Sequence, residues 1–263
     1  MNTLRLITSR ANSAFKALSA LASDPRAPRR EGRTLADGIH LVADCFAHGI
    51  TVQQLLVSES GQKNPQIVAL LTHAENIECL LLSDALFREI SGVATPTGIA
   101  AVIAIPPTPQ GAVAGDAVLL DAIQDAGNVG AILRTAAAAS VRDIVLGPGC
   151  AGAWTPRVLR AGQGAHFNLR IREQADLAAT LTTCSGISVA TVARDGASLY
   201  ALDMRQPIVW LFGNEGAGLS AEFIAVAQQR ATIPLAATSE SLNVAAAVAV
   251  CLFEAVRQRQ QPS

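Results

Sequence analysis

Short apolar segments alternate with helix-forming segments along the C-terminal part of the chain, and this alternation restricts the possible folds more than any other feature. The apolar segments are AVLLDAI, DIVLG, ISVATVA and PIVWLFG. Continuous apolar runs are typical of strands that are buried on both faces, as in a parallel sheet covered by helices. The pattern therefore predicts an α/β fold with a parallel sheet, whose ligands would lie beyond the carboxyl ends of the strands, after Ile123, Val192, Phe212 and Leu235.

A proline- and glycine-rich segment, AIPPTPQGAVAGD at 104–116, separates this region from the residues before it. Such a segment cannot continue a helix or a central strand. The N-terminal part also mixes helical and strand patterns, with helices expected over 9–21, 38–48 and 65–72, and a loop expected at DPRAPRREGR. We therefore predict a smaller α/β domain over 1–105, a linker over 106–116 and a second domain over 117–263.

Composition narrows the class of protein. The chain has 263 residues, half of them hydrophobic, which favours a packed core over disorder. No apolar run is long enough to span a bilayer and the start lacks a leader pattern, so we expect a cytoplasmic protein. The five cysteines include no CxxC spacing, so neither a zinc site nor a disulfide framework is expected.

The charge distribution is uneven although the formal net charge is only −1. Residues 1–33 hold seven basic side chains and two acidic ones, so this segment is locally basic. It can contact phosphate, or it can be an ordinary solvated stretch, and charge alone leaves both interpretations open.

The segment GPGCAG at 147–152 has the formal spacing of a dinucleotide-binding loop. That motif requires a helix at its third glycine, whereas AWTP follows here. We interpret the segment as a glycine-rich turn after a strand.

Three other segments place polar residues directly after predicted strands. In LDAIQDAGNVGAILRTAAAAS, Asn128 can cap a helix and Arg134 can pair with a carboxylate, or both can face a ligand. In VWLFGNEGAGLS, three glycines surround the carboxylate of Glu215, so backbone N–H groups can meet a ligand. In SESLNVAAA, Asn243 lies at the start of the last helix, where capping by Asn or Ser is the simpler interpretation.

Taken together, GNVGAILRTA, GNEGAGL and IPL followed by SLNVAAA resemble motifs 1, 2 and 3 of the SpoU (TrmH) family of RNA 2′-O-ribose methyltransferases, in the SPOUT superfamily. The resemblance covers about residues 117–258. More weakly, residues 1–105 are similar to the L30e-like substrate-binding domain that often precedes it.

The resemblance implies a homodimeric enzyme whose C-terminal domain contains a deep trefoil knot, formed by threading the segment after about Gly213. It implies S-adenosylmethionine as methyl donor and no metal. Expected cofactor-binding residues, by matching positions, are Val192, Leu211, Phe212, Gly213, Ile233 and Leu242.

The resemblance also implies a role for five polar residues in methyl transfer to a ribose hydroxyl. These are Asn128, Arg134, Glu215, Ser241 and Asn243. Ribosomal RNA is the expected substrate. Transfer RNA, or a non-catalytic RNA-binding role on the same scaffold, is the alternative. RNA contacts are expected from cations of the first domain, namely Arg10, Lys16, Arg29, Arg30 and Arg33.

Overall fold

The computed structural model describes residues 5–74 and 76–260, apart from the side chain of Arg5. Within these residues the chain divides into two compact units. The first contains the chain up to Pro107 together with Trp154–Phe167, and the second contains Thr108–Ala153 and the chain from Asn168 onward. The division after Pro107 falls in the segment predicted as a linker. The outer ends of the two predicted domains, 1–4 and 261–263, lie outside the described residues.

Strands and helices alternate along both units. Up to Pro107 the elements are β1 (Arg5–Ile7), α1 (Ser13–Ser23), α2 (Ala27–Glu31), β2 (Arg33–Asp37), α3 (Ile39–Ala47), β3 (Val52–Ser58), α4 (Pro65–Leu71), β4 (Glu78–Leu82), α5 (Asp84–Ser91) and β5 (Ile99–Ala104). From Thr108 they are β6 (Ala117–Leu120), α6 (Ala126–Ala138), β7 (Asp143–Leu146), α7 (Pro156–Gly162), β8 (Arg170–Arg172), α8 (Leu177–Thr183), β9 (Ile187–Thr191), β10 (Ala197–Ser198), β11 (Ile208–Phe212), α9 (Ala221–Val226), β12 (Gln229–Thr232) and α10 (Val244–Gln260).

The sheet of the first unit is mixed. Its order over the described residues is β1-β4-β3-β5-β2, in which β5 runs antiparallel to both β3 and β2. Helix α1 begins after Asn12, whose side chain accepts from the N–H groups of Ala14 and Phe15. Its apolar stripe, Phe15, Leu18 and Leu21, packs into the same buried cluster as strand residues of this sheet. Burial of that stripe holds the helix against the sheet.

The sheet of the second unit is parallel, as predicted. Its order over the described residues is β10-β12-β9-β11-β6-β7-β8, and every neighbouring pair is parallel. The central strands β6, β7 and β11 are buried along their whole length. Their continuous apolar sequences therefore match their burial on both faces. Helix α10 packs against α6.

The structure differs from the sequence-based expectation at several elements. The predicted loop DPRAPRREGR contains α2, which has Pro28 in its first turn and ends at Gly32 with a φ of 64°. The predicted strand ATIPL begins earlier, as β12, and ends at Thr232 before Pro234. The short strands β1, β8 and β10 were not predicted, because segments of two or three residues carry too little periodicity. Strand β2, RTLAD, was not predicted either.

The segment GPGCAG forms a turn, as interpreted from sequence. The N–H of Gly147 donates to the carbonyl oxygen of Leu120 and that of Ala151 to Ile123, so the segment closes over the end of β6. Gly149 has a φ of 82°, a conformation that favours glycine. The next helix, α7, begins only at Pro156.

The cysteines are free thiols. Burial raises the pKa of Cys45 and Cys251 to about 12, so both are unreactive at neutral pH. No helix in the described part of the chain is long and apolar enough to cross a membrane.

Candidate active site

A cavity of about 460 Å³ opens at the carboxyl ends of β9, β11 and β12 in the second unit. The loops after Val192, Phe212 and Leu235 contribute to its lining, as the topology of a parallel sheet predicts, whereas the loop after Ile123, predicted with them, does not. Its remaining wall comes from the segment before α10 and the start of that helix. The volume lies in the range of about 300–1,000 Å³ that small-molecule sites occupy.

Helix α6 presents Asn128 at the edge of this region. The helix begins at Ala126 because Asp125 is its N-cap, whose Oδ1 accepts from the N–H of Asn128 at 2.8 Å. The capping role that we considered for Asn128 therefore belongs to Asp125. This frees the amide of Asn128 for other partners.

Asn128 joins the three motif segments. Its Nδ2 donates to Oε1 of Glu215 at 2.6 Å, and its Oδ1 accepts from Nδ2 of Asn243 at 2.9 Å. The three residues come from the start of α6, the loop after β11 and the residue before α10. A carboxylate acceptor strengthens the first of these bonds. We call the three residues the amide–carboxylate network.

The glycine-rich loop that carries Glu215 is fixed by its own backbone. Asn214 Nδ2 donates to the carbonyl oxygen of Ala122 at 2.9 Å, and its Oδ1 accepts from the N–H groups of Gly216 and Ala217. A side chain at Gly213 would collide with the backbone of Gly218 and Leu219, so only glycine fits there. The loop thus holds Glu215 beside α6.

Asn243 has two roles. Its Oδ1 accepts from the N–H groups of Ala245 and Ala246 and so caps α10, as the simpler interpretation expected. Its Nδ2 at the same time completes the amide–carboxylate network. Ser241 lines the cavity and is exposed, but among the described contacts its side chain does not join the network.

Arg134 lies two turns into α6 and is exposed. Within the described residues its guanidinium forms no hydrogen bond or ion pair, so the carboxylate partner considered from sequence does not exist there. The structure therefore leaves this cation available to an external anion. It does not link Arg134 to the amide–carboxylate network.

The residues that the family resemblance assigned to cofactor binding divide into two groups. Leu211 is fully buried in the core of the second unit and does not line the cavity. The others all line it, namely Val192, Phe212, Gly213, Ile233 and Leu242.

Some residues of this region were not singled out from sequence. Arg194 lines the cavity. Asp121, directly after β6, accepts a hydrogen bond at its Oδ2 from the N–H of Ser220 at 3.0 Å, and this bond holds the end of the glycine-rich loop beside β6. Asn214 could have been recognised, because Asn followed by glycine favours a turn closed by its side chain. Arg194 and Asp121 follow strand ends and carry no further signal. No group of His, Cys, Asp and Glu in the described part of the chain could hold a metal ion.

In the first unit, three of the predicted RNA-binding cations form ion pairs with carboxylates of the protein. Arg10 pairs with Glu89 at 2.7 Å, and Arg33 pairs with Glu31 at 2.9 Å. Arg30 pairs with Asp24 and with the same Glu31. The other two cations, Lys16 and Arg29, are exposed and have no such pair among the described residues.

Family comparisons match two separate stretches of the chain. Residues 116–253 match the SpoU rRNA Methylase family, and residues 12–101 match the MRM3-like substrate binding domain. The first match covers more than half of the chain. The chain therefore belongs to the SpoU rRNA methylase family, and the resemblance seen in the sequence is confirmed.

Individual relatives extend over nearly the whole chain. An uncharacterised tRNA/rRNA methyltransferase of Synechocystis is 31% identical over 96% of this chain and 94% of its own. The 23S rRNA (guanosine(2553)-2′-O)-methyltransferase RlmP of Bacillus subtilis is 32% identical over 83% of this chain and 86% of its own. The solved SpoU methyltransferase AviRb of Streptomyces viridochromogenes, in complex with AdoMet, is 26% identical, covers 94% of this chain and 98% of its own, and has a TM-score of 0.83.

Proposed function

We propose that the protein transfers a methyl group from S-adenosylmethionine to a ribose 2′-hydroxyl of RNA, with ribosomal RNA as the substrate. The observation that carries this proposal is the amide–carboxylate network, which joins the three motif segments beside the cavity. Family membership and the relatives named as 23S rRNA 2′-O-methyltransferases support it.

The cavity fits S-adenosylmethionine in size and chemistry. Apolar side chains of Val192, Phe212, Ile233 and Leu242 can cover the adenine ring, while exposed backbone beside Gly213 can hydrogen-bond to polar edges. Glu215 also lines this cavity, and its negative charge favours a cationic ligand. When bound, S-adenosylmethionine supplies an electrophilic methyl group on a positively charged sulfur.

The residues of this chain would position the acceptor nucleotide. Arg134 offers a cation with no protein partner, suited to an RNA phosphate. A guanidinium carries only hydrogen-bond donors and has no acceptor for the hydroxyl proton, so we assign Arg134 a positioning role. Asn128, held between Glu215 and Asn243, fixes the relative position of the three segments, which is what in-line transfer requires.

The finer features follow from the family rather than from contacts described above. We place RNA recognition in the first domain, over 1–105, and methyl transfer in the second, over 117–263. The second domain would contain a deep trefoil knot, and two copies would form the active dimer. We also propose a cytoplasmic location for the enzyme, in line with the expectation from sequence.

Calorimetry followed by a methyl-transfer assay tests the proposed function. We expect micromolar binding of S-adenosylmethionine, and incorporation of its labelled methyl group into ribosomal RNA at a 2′-hydroxyl. Titration of transfer RNA in parallel tests the alternative substrate. Binding of RNA without any methyl transfer, in the presence of the donor, would instead favour a non-catalytic role.

RNA recognition by the first domain has its own test. Because Lys16 and Arg29 have no carboxylate partner among the described residues, their replacement by alanine should weaken RNA binding. Replacement of the paired Arg10 and Arg33 should weaken it less. Equal affinity of the Lys16→Ala/Arg29→Ala protein and the wild type would reject this surface.

A further inference from the structure

The cavity of about 460 Å³ in the second unit has charges of both signs in its wall, carried by Arg194, Glu215 and Glu240. Over the residues that the structure describes, no other charged side chain lines this cavity. Glu215 belongs to the amide–carboxylate network. Neither the three motif segments nor the family resemblance assigns a role to Arg194. The wall therefore contains one cation whose function is open.

The loop that carries Arg194 is held against β12 on both sides of this residue. Before it, the N–H of Val192 donates to the carbonyl oxygen of Ala231 at 2.9 Å. After it, the N–H of Gly196 donates to Oγ1 of Thr232 at 3.1 Å. A side chain at Gly196 would collide with the backbone of Ala231 and Thr232, so glycine permits this close approach. Arg194 thus extends from a loop whose position is fixed at the mouth of β9.

The guanidinium of Arg194 is not used by the protein itself. The side chain is exposed, and within the described residues it forms no hydrogen bond or ion pair, not even with Asp195 beside it. A guanidinium stays charged at neutral pH and presents its N–H donors in a planar fork that matches a carboxylate. Arg194 is therefore available to an anionic group of whatever occupies the cavity.

We propose that Arg194 binds the carboxylate of the methionine moiety of S-adenosylmethionine. At neutral pH this ligand carries a sulfonium, an ammonium and a carboxylate, so its charges are opposite to those of the two glutamates and the arginine in the wall. Without Arg194 the ligand carboxylate would meet only the negative charges of Glu215 and Glu240, which is unfavourable. The inference rests on the proposed function, which supplies the ligand.

This charge balance favours the ligand carboxylate over an RNA phosphate as the partner of Arg194. An RNA phosphate would satisfy the arginine equally well but would leave the carboxylate of the methyl donor without a cation in the cavity wall. Arg194 would then determine specificity as well as affinity, because it would select the complete methyl donor over related nucleosides that lack the carboxylate.

Calorimetry on the full chain, with S-adenosylmethionine and with its decarboxylated form, tests the proposal. The two compounds share the adenosine, the sulfonium and the ammonium, and differ only in the carboxylate. We expect the wild type to bind S-adenosylmethionine about tenfold more tightly, the scale of one hydrogen bond between charged groups. Arg194→Ala should reduce this preference to less than about twofold, by weakening the binding of the complete ligand only. The decarboxylated form should bind to this variant at least as tightly as to the wild type, because a like charge has been removed.

Two further variants control for effects other than the loss of the ion pair. Arg194→Lys keeps the charge but loses the planar fork, so its preference should lie between those of the wild type and Arg194→Ala. Arg230→Ala is the matched control. Arg230 is an exposed arginine of β12 that does not line the cavity and has no described ion pair. Its replacement should leave the affinities for both compounds unchanged.

Three results would overturn the proposal. Equal affinity of the wild type for the two compounds would mean that the carboxylate has no cationic partner. An equal loss of affinity for both compounds in Arg194→Ala would mean that Arg194 only supports the loop. Weaker binding of ribosomal RNA by Arg194→Ala, with the preference for S-adenosylmethionine retained, would assign Arg194 to an RNA phosphate.

Methyl transfer to ribosomal RNA, measured on the same preparations, reports on the proposed function separately. A wild type that methylates RNA but binds both compounds equally contradicts the assignment of Arg194 and leaves the proposed function intact. A wild type that prefers S-adenosylmethionine through Arg194 but never methylates RNA contradicts the proposed function and supports the assignment. A wild type that binds neither compound, even with ribosomal RNA present, contradicts both.

Discussion

Arg134 is an exposed cation on a helix of small and apolar residues, and no described residue neutralises it. Its removal should therefore leave folding intact while the RNA phosphate loses its partner. We expect Arg134→Ala to lower the rate of methyl transfer at least about a hundredfold, the scale seen when one electrostatic contact of a transition state is lost. The melting temperature and the affinity for S-adenosylmethionine should not change.

Arg142→Ala is the matched control for this prediction. Arg142 is also an exposed arginine of the second unit with no described ion pair. Its replacement should leave methyl transfer unchanged. If Arg134→Ala instead lowers the melting temperature as much as the rate, Arg134 is structural and its functional assignment is wrong.

At the scale of residues, the polar segments could be located from sequence, but the role of each residue within them could not. Asp125 and Asn128 both follow β6, and either can cap a helix, so sequence alone could not decide between them. The structure assigns the cap to Asp125 and the interaction with Glu215 to Asn128. A partner 87 positions away along the chain is set by tertiary packing, which local preference does not encode.

At the scale of elements, α10 depends on Asn243 for its cap, and two substitutions separate this role from the site. Asn243→Ala removes both the cap and the bond to Asn128, so it should lower the free energy of unfolding by about 1 kcal/mol and also reduce methyl transfer. Asn243→Asp keeps an acceptor for the cap but loses the Nδ2 donor. It should retain stability and lose methyl transfer.

Urea unfolding monitored by circular dichroism, combined with the methyl-transfer assay, distinguishes these outcomes. Full activity of Asn243→Asp would show that the amide–carboxylate network is not required for the reaction. Full stability of Asn243→Ala would show that the cap contributes little to α10.

The edge strand β8 depends on charge pairing. Asp143 of β7 is buried and pairs with Arg170 and Arg172 of β8. Burial alone would raise the pKa of Asp143. The hydrogen bonds and charges of the two arginines outweigh burial, so the pKa lies below its ordinary value of 3.8. Asp143→Asn should cost about 3 kcal/mol of stability at neutral pH, the low end for a broken buried pair, because Arg170 is half exposed.

The stabilisation by Asp143 should also depend on pH. A lowered native pKa means that it is fully present above the ordinary pKa and is lost as the pH falls through the lowered value. Urea titrations of the wild type and of Asp143→Asn should therefore differ near pH 7 and converge in strong acid. Asp203→Asn, which breaks the exposed pair with Arg205, should show no measurable change at either pH. A difference that persists in strong acid would contradict the ionic explanation.

The same strand shows why some elements escaped prediction. The long apolar strands β6, β9 and β11 and the helices around them follow directly from continuous hydrophobicity and periodicity. Strand β8 reads RIR, and its two arginines are tolerated only because Asp143 is present on the neighbouring strand. Its pairing depends on that contact and not on any pattern of its own.

At the scale of the whole molecule, the sequence indicated a division near the proline-rich segment but not the membership of Trp154–Phe167 in the first unit. This segment contains α7 and lies between β7 and β8, two strands of the second unit. Its assignment depends on contacts such as the bond from the hydroxyl of Thr34 to the carbonyl oxygen of Trp154 at 2.6 Å. Contacts between positions so far apart leave no local signal.

The division into two units has a thermodynamic consequence. Two units with separate cores need not unfold in one step, so calorimetry should resolve two transitions. The cavity proposed for S-adenosylmethionine belongs entirely to the second unit. At a hundredfold excess over its dissociation constant the ligand should stabilise that unit by about 2.7 kcal/mol. This corresponds to a rise of about 5–10 °C in one transition and none in the other.

Scanning calorimetry with S-adenosylmethionine, and with NAD as the control ligand, checks this expectation. NAD should leave both transitions unchanged, because GPGCAG forms a turn that closes over β6 and no helix opens at its last glycine. Asp37→Asn should leave the ligand-dependent shift intact, since Asp37 lies in the first unit. A single transition that shifts with S-adenosylmethionine would mean that the two units unfold cooperatively. A shift by NAD alone would contradict the assignment of the cavity to a methyl donor.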